Sequence, residues 1–180
     1  MRWQVHGERM LYTSEWVELV LADVEVPGGP RFDHHVVRIP SDAAGTVVHD
    51  PERGVLLLWR HRFITDTWGY EVPAGRVDPG EAPIAAARRE VREETGWEPG
   101  PLTPLTTYHP VNGTVDVRFH LFRAAGARRL GPPADASEAE RVEWVPVQRL
   151  PGLLAGGQVL DGMSVTGLLW FLQQPGEVGS

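Results

Sequence analysis

The 180-residue sequence contains no cysteine. That excludes a disulfide framework, a thiolate zinc site and a cysteine nucleophile. Long apolar runs are also missing. The best candidate, Trp16 to Val24, is short and carries Glu18 and Asp23, so it does not cross a membrane. The opening Met1-Arg2-Trp3-Gln4-Val5-His6 lacks the apolar core of a signal peptide, and the expectation is a soluble, cytoplasmic protein without a membrane partner. Positive charge is scarce, with 17 Lys and Arg against 24 Asp and Glu and a formal net charge of −7. Such a balance argues against a non-specific nucleic-acid binder, which would show a basic stripe. A small anionic substrate remains compatible, given local arginines or bound metal to offset the repelling global field. Neither a Gly-x-Ser-x-Gly elbow nor a Walker loop occurs.

What is present is globular, at 42% hydrophobic and 23% charged residues, and long enough for one domain with a small appendage. Before residue 45 the pattern is β. Runs at 16–24 and 32–39 flank the turn Pro27-Gly28-Gly29-Pro30, with a shorter strand around Met10 to Tyr12. Strands at 46–49 and 55–59 follow. Val55-Leu56-Leu57-Leu58 lacks alternation, which predicts a strand buried on both faces. Residues 60–80 read as mostly loop, with a short extended piece at 70–72. A helix is expected from Pro83 to Thr95, with proline in its first turn and Gly96 past its end. Further strands are expected at 105–108, 115–122 and 142–145, a polar loop at 131–140, and a last helix near 163–173. Mixed strands with two clear helices predict an α/β fold, a sheet sandwiched between helices.

The 83–95 helix concentrates acid. At 100° per residue, Ile84, Ala87, Val91 and Thr95 form the core-facing arc, and Glu90, Glu93 and Glu94 a second arc beside it. Three carboxylates on one arc repel each other unless something offsets their charge, and only Arg89 to Glu93 is well spaced to do so within the helix. Hard divalent cations take such oxygen ligands. The alternative is a solvated charged face.

The preceding loop bears on that choice. Gly75 is followed after five residues by Glu81, and after seven more by Arg89-Glu90-Val91-Arg92-Glu93-Glu94-Thr95-Gly96. This segment resembles the signature of the Nudix hydrolases at every fixed position except Trp97, which stands in an aliphatic packing slot. The resemblance implies the Nudix fold (α/β/α) and hydrolysis of a nucleoside diphosphate linked to another moiety, with magnesium or manganese. It implies metal ligation mainly by Glu90 and Glu94 and further by Glu93, with Arg89 orienting Glu90 or Glu93.

The flanks resemble the ADP-ribose pyrophosphatase and nucleotide-sugar hydrolase group. Tyr70-Glu71-Val72-Pro73-Ala74-Gly75 is similar to its Glu-Leu-Pro-Ala-Gly approach, which implies the Ala74 carbonyl as a metal ligand and Glu71 as a substrate contact. Arg60-His61-Arg62-Phe63 stands where that group has Gln-aromatic-Arg, which assigns Arg62 to a phosphate. The β-rich residues 1–44 are similar to the group's N-terminal extension, implying a homodimer and a substrate cover, with residues 45–180 as the hydrolase domain. Trp16 lies in that extension; a core role is expected for it, with a border of the adenine pocket as the alternative. Tyr108 to Asp116 is loosely similar to a loop after the signature, although Val117 replaces the group's glutamate. Glu138 and Glu140, in Ala136-Ser137-Glu138-Ala139-Glu140, resemble the loop acids that activate water, with solvated surface acids as the alternative. ADP-ribose, giving AMP and ribose 5-phosphate, is the expected substrate. Another nucleotide sugar such as GDP-mannose, or a catalytically silent nucleotide sensor, are the rival readings.

Overall fold

The computed structural model describes residues 1–134 and 139–174. Strands β1 (Gln4–Thr13), β2 (Glu18–Glu25) and β3 (Arg31–Arg38) come first. Next are β4 (Ala43–Asp50), β5 (Gly54–Arg62), β6 (Thr67–Glu71) and β7 (Ala74–Arg76), leading into helix α1 (Pro83–Thr95). Then come β8 (Trp97–Pro99), β9 (Leu102–Tyr108), β10 (Val115–Asp116), β11 (Phe119–Ala125), β12 (Ala127–Arg129) and β13 (Arg141–Val145). A 3₁₀ turn at Val147–Arg149, α2 (Leu150–Ala155) and α3 (Gly162–Leu172) follow.

Two compact units result, one of residues 1–42 with 109–118 and one of 43–108 with 119–180. In the first, β1, β2 and β3 form an antiparallel meander, and β10 adds to β3 in parallel. Among the described residues β1 pairs with β2 alone, and all ten of its residues are exposed.

The second unit is α/β, as expected. Its sheet runs β13-β5-β4-β11-β9, with β6 paired to β5 and β7 to β4. Successive residues on a strand point to opposite faces, and the core divides accordingly. Val47, Val55 and Leu57 pack with Leu150, Leu168 and Phe171 on the side of α2 and α3. Val48 and Leu56 pack with Val91 of α1. The unbroken apolar run of β5 is therefore buried on both faces, at 0% exposure from Val55 to Leu58.

Helix α1 spans the residues expected of it. It stops because Gly96 takes the left-handed conformation (φ 72°) and its N–H returns to the Arg92 carbonyl. Its buried side is Ala86, Ala87, Val91, Glu94 and Thr95. Ile84, assigned to that arc, is instead 42% exposed, in the first turn of the helix.

Three local expectations fail. Residues 60–80, read as mostly loop, contain the β5–β6 hairpin, paired from Leu58↔Glu71 to Arg62↔Thr67, and the short β7. Charged Arg60, His61 and Arg62 interrupt the apolar pattern while the backbone ladder continues through them. The strand expected over 115–122 is two strands in different sheets, β10 against β3 and β11 against β4. Helix α2 begins Leu-Pro-Gly, a turn-like start that hides a helix whose Leu150 and Leu153 are buried.

Candidate functional site

Two arginines organise the acids of α1. Arg89 donates to both oxygens of Glu81 (3.1 and 3.0 Å), to the Arg76 carbonyl (2.8 Å), to Glu90 Oε1 (2.6 Å) and to Glu93 Oε2 (3.0 Å). Its planar fork suits this task, since it presents five N–H donors in fixed directions. Glu81 also accepts the Asp78 N–H, which ties the loop to the helix start. The Arg89 hydrogen bond is the main reason the Glu81 carboxyl lies below the ordinary carboxylate range, against the opposing effect of burial. The same pair raises the Arg89 guanidinium above its already high value.

The second arginine is Arg60, on β5. Its Nη1 donates to Glu94 Oε1 at 2.7 Å, and the other Glu94 oxygen accepts the Ala74 N–H at 2.8 Å. Glu94 and Arg60 are 4% and 6% exposed, a buried pair fixed from two sides. Arg60 Nη1 lies also 3.9 Å from Glu71 Oε2, while Arg62 binds Glu71 through two nitrogens at 2.6–3.2 Å. Glu94, Arg60, Glu71 and Arg62 thus alternate in sign across β5, β6 and α1. A cavity of about 470 Å³ opens at the Arg62 end, lined among others by Thr65, Thr67, Glu71, Leu160 and Asp161. Asp161 caps α3 through the Ser164 N–H, and the Ser164 hydroxyl accepts the Val72 N–H, which anchors the chain just before Ala74.

Glu90 is placed by a glycine. A Cβ on Gly75 would stand 2.2 Å from Glu90 Oε1 and 2.3 Å from its Cδ, so only glycine leaves the carboxylate its place. Glu90 and Glu94 therefore converge on two successive residues of β7, one against Gly75 and one on the Ala74 N–H. Glu93 diverges: its side chain is 48% exposed and pairs with Arg89.

Of the residues singled out in the sequence, Ala74, Glu90 and Glu94 are brought together, with Arg89 and Glu93 adjoining and Glu71 and Arg62 linked through Arg60. Glu140 is exposed and held by its backbone N–H on the Trp59 carbonyl, next to Arg60. Glu138 lies outside the described residues. Trp16 belongs to the first unit and is 60% exposed, so the core role expected for it is not the one it plays. Sequence reasoning gave no role to Arg60. The sequence reading ended the strand at Trp59, but β5 runs on to Arg62, and a charge inside a buried strand demands a buried partner.

Among the described residues no group of three or more His, Asp or Glu side chains closes into a metal cage. What does converge is the pair of carboxylates of Glu90 and Glu94 against the Ala74–Gly75 backbone, and carboxylate oxygen is a hard donor. This fits magnesium, which is held by one or two carboxylates and leaves its other positions to water and substrate phosphate.

Residues 40–161 match the NUDIX domain. Over 98% of this chain and 88% of the relative, the sequence is 41% identical to a CMP-5'-(N-acetyl-N-hydroxy-3-aminopropyl)phosphonate hydrolase of Streptomyces rubellomurinus. It is 29% identical to an ADP-ribose pyrophosphatase of Bacillus subtilis, over 78% of this chain and 76% of that one. A crystal structure of an ADP compounds hydrolase superposes with a TM-score of 0.85 at 18% identity, covering 96% of this chain and 94% of the other, which is a likeness of fold. With its signature helix built and its match spanning more than half of its length, the chain belongs to the Nudix family of pyrophosphohydrolases.

Proposed function

We propose that this protein hydrolyses the P–O–P bridge of a nucleoside diphosphate derivative with the help of magnesium or manganese, and that ADP-ribose is its substrate. The carrying observation is the convergence of Glu90 and Glu94 on Gly75 and Ala74. In this reading Glu90, Glu94 and the Ala74 carbonyl would hold the cation, and Glu93 would join them from the Arg89 side. When bound, the cation would neutralise phosphate oxygens and make water a stronger acid. Arg89 keeps Glu90 and Glu93 oriented through charge-assisted hydrogen bonds. Arg62 is half-exposed, so it can extend one edge of its guanidinium to a phosphate while Glu71 holds the other. Glu138 or Glu140 takes the proton of the attacking water. The new bond joins the water oxygen to one phosphorus, the bridge breaks, and its oxygen leaves on the other phosphate. AMP and ribose 5-phosphate result. The B. subtilis relative's activity supports this choice.

A second reading has a specific support. The S. rubellomurinus relative, named for a CMP-linked phosphonate, matches almost the full chain, including the N-terminal residues. The chemistry is the same, with a cytidine monophosphate released in place of AMP. The proposal includes a homodimer built on the first unit, whose edge strand β1 exposes Val5, Met10, Leu11 and Tyr12. A panel of ADP-ribose, GDP-mannose and a CMP-linked phosphonate, assayed with magnesium for nucleoside monophosphate release, tests the reading. Fastest turnover of ADP-ribose supports it, and preference for the cytidine compound selects the second. Binding without turnover of any of them would leave a silent sensor.

A further inference from the structure

We propose that Arg60 is a positioning residue whose buried positive charge sets how tightly the site holds a divalent cation. The inference rests on Glu94 being a ligand of that cation, as argued above. Arg60 is a buried counter-ion of Glu94: 2.7 Å separates Nη1 from Oε1, and the two side chains are 7% and 4% exposed. Arg89, which pairs with Glu90 and Glu93, is by contrast 28% exposed. Water and salt screen a charge at the surface far more than one in the interior. Of the two arginines, Arg60 therefore acts most strongly on a cation arriving at Glu94.

Two effects of opposite sign are conceivable. By fixing the carboxylate, Arg60 could prepare Glu94 for a ligand. By its charge, it repels the incoming cation and competes for the same carboxylate. The geometry decides for the second. Glu94 is already fixed through its other oxygen by the Ala74 N–H at 2.8 Å, on a strand held to β4 by its own ladder. Glu94 also rides on a helix whose neighbouring residues Val91 and Thr95 are fully buried. Orientation survives the loss of Arg60, and the repulsion does not. The same side chain reaches toward Glu71, the partner of Arg62, so its charge is shared between the cation end and the substrate end of the network. Such an arrangement keeps the site stable when empty and makes the cation's hold weaker, which favours entry together with a phosphate that brings negative charge.

The test measures manganese binding to wild-type protein, Arg60→Gln and Arg60→Lys by electron paramagnetic resonance of free Mn²⁺, with melting temperature followed in parallel. Gln keeps an amide near Glu94 and removes the charge; Lys keeps the charge but draws it back from the carboxylate. The expected order of affinity is Gln tightest, by about tenfold over wild type, with Lys between. Manganese should also raise the melting temperature of the Gln variant more than that of wild type. If Arg60 served only as a clamp, both variants would bind manganese more weakly, and that result or an unchanged Kd overturns the proposal. Should the Gln variant not fold, the Lys variant decides by the same sign. Failure of wild-type protein to bind manganese, or undiminished binding by Glu94→Gln, would instead overturn the metal assignment on which the proposal stands.

Discussion

The Glu90 carboxylate occupies the space that a side chain on Gly75 would need, with Oε1 2.2 Å from the position of the missing Cβ. The glycine of the signature is thus explained by a close approach, at a residue whose φ is not in the left-handed region. Gly75→Ala should fold normally yet move Glu90 away from Ala74. Turnover should fall by roughly ten- to a hundredfold, with a higher manganese Kd. An alanine variant with wild-type turnover and Kd would show that Glu90 need not sit there.

Glu94→Gln is expected to lower turnover by at least about a hundredfold, because an amide lacks the charge a hard cation needs. Burial adds a second effect that the sequence did not announce. Breaking a buried ion pair leaves Arg60 charged without Glu94, so stability should drop by roughly 2 kcal/mol or more. For a chain of this length the melting temperature then falls by about 4–8 °C. Calorimetry beside the kinetic assay separates the two losses.

Glu81 gives a pH signature. Its carboxyl is held below the usual range chiefly by the Arg89 hydrogen bond. A depressed carboxyl contributes stability above its unfolded value, about 4.3, and loses that contribution as pH falls through the folded value. Glu81→Gln should therefore melt below wild type at pH 7, and the gap should close as pH drops below about 4.3 and through the lowered folded value. A gap that stays constant through that window means that Glu81 acts by packing alone.

The loop acids are separated by kinetics. If Glu138 or Glu140 removes the proton from water, its Gln variant should lose kcat far more than substrate affinity, with manganese binding retained. The double variant identifies the base, since it should be no slower than the decisive single one. If all three keep more than about half of wild-type kcat, water activation belongs to a helix carboxylate such as Glu93.

Sedimentation should report a dimer. The strand β1 offers apolar Met10, Leu11 and Tyr12 at 40–57% exposure on an edge with one neighbour. Leu11→Arg should shift the equilibrium toward monomer without altering the fold seen by circular dichroism. A wild-type monomer at micromolar concentration would refute the assembly.

Much of this was legible because the signals were local. The α1 boundaries follow from Pro83 and Gly96, and the buried β5 from four successive apolar residues. The spacing from Gly75 to Gly96 placed Glu90 and Glu94 on one arc, where they lie. What stayed hidden depended on partners distant in sequence. Arg60 looked like one more charge near a strand end, until Glu94, 34 residues away, supplied its reason. Trp97, which fills the aliphatic slot of the signature, reads as a defect until its ring is found edge-on to Trp144 at 5.3 Å, with Arg53 and Arg129 over it at 4.9 and 5.4 Å. That cation–aromatic stack substitutes for the missing aliphatic packing.

The parallel pairing of β10 with β3 has a consequence for how the chain is made. Val115 and Asp116 are about 80 positions downstream of their ladder partners Val37 and Arg38, with most of the other unit's sheet encoded between them. On a ribosome adding about 5–20 residues per second, the meander of β1, β2 and β3 waits several seconds for its fourth strand. During that wait, β3 presents an open edge next to histidines and β-branched residues. Removing residues 1–40 would not simply trim an appendage: it would orphan the 109–118 segment in the middle of the remaining chain. Truncation is thus the wrong instrument for asking what the N-terminal residues do, and point substitutions on β1 are the right one.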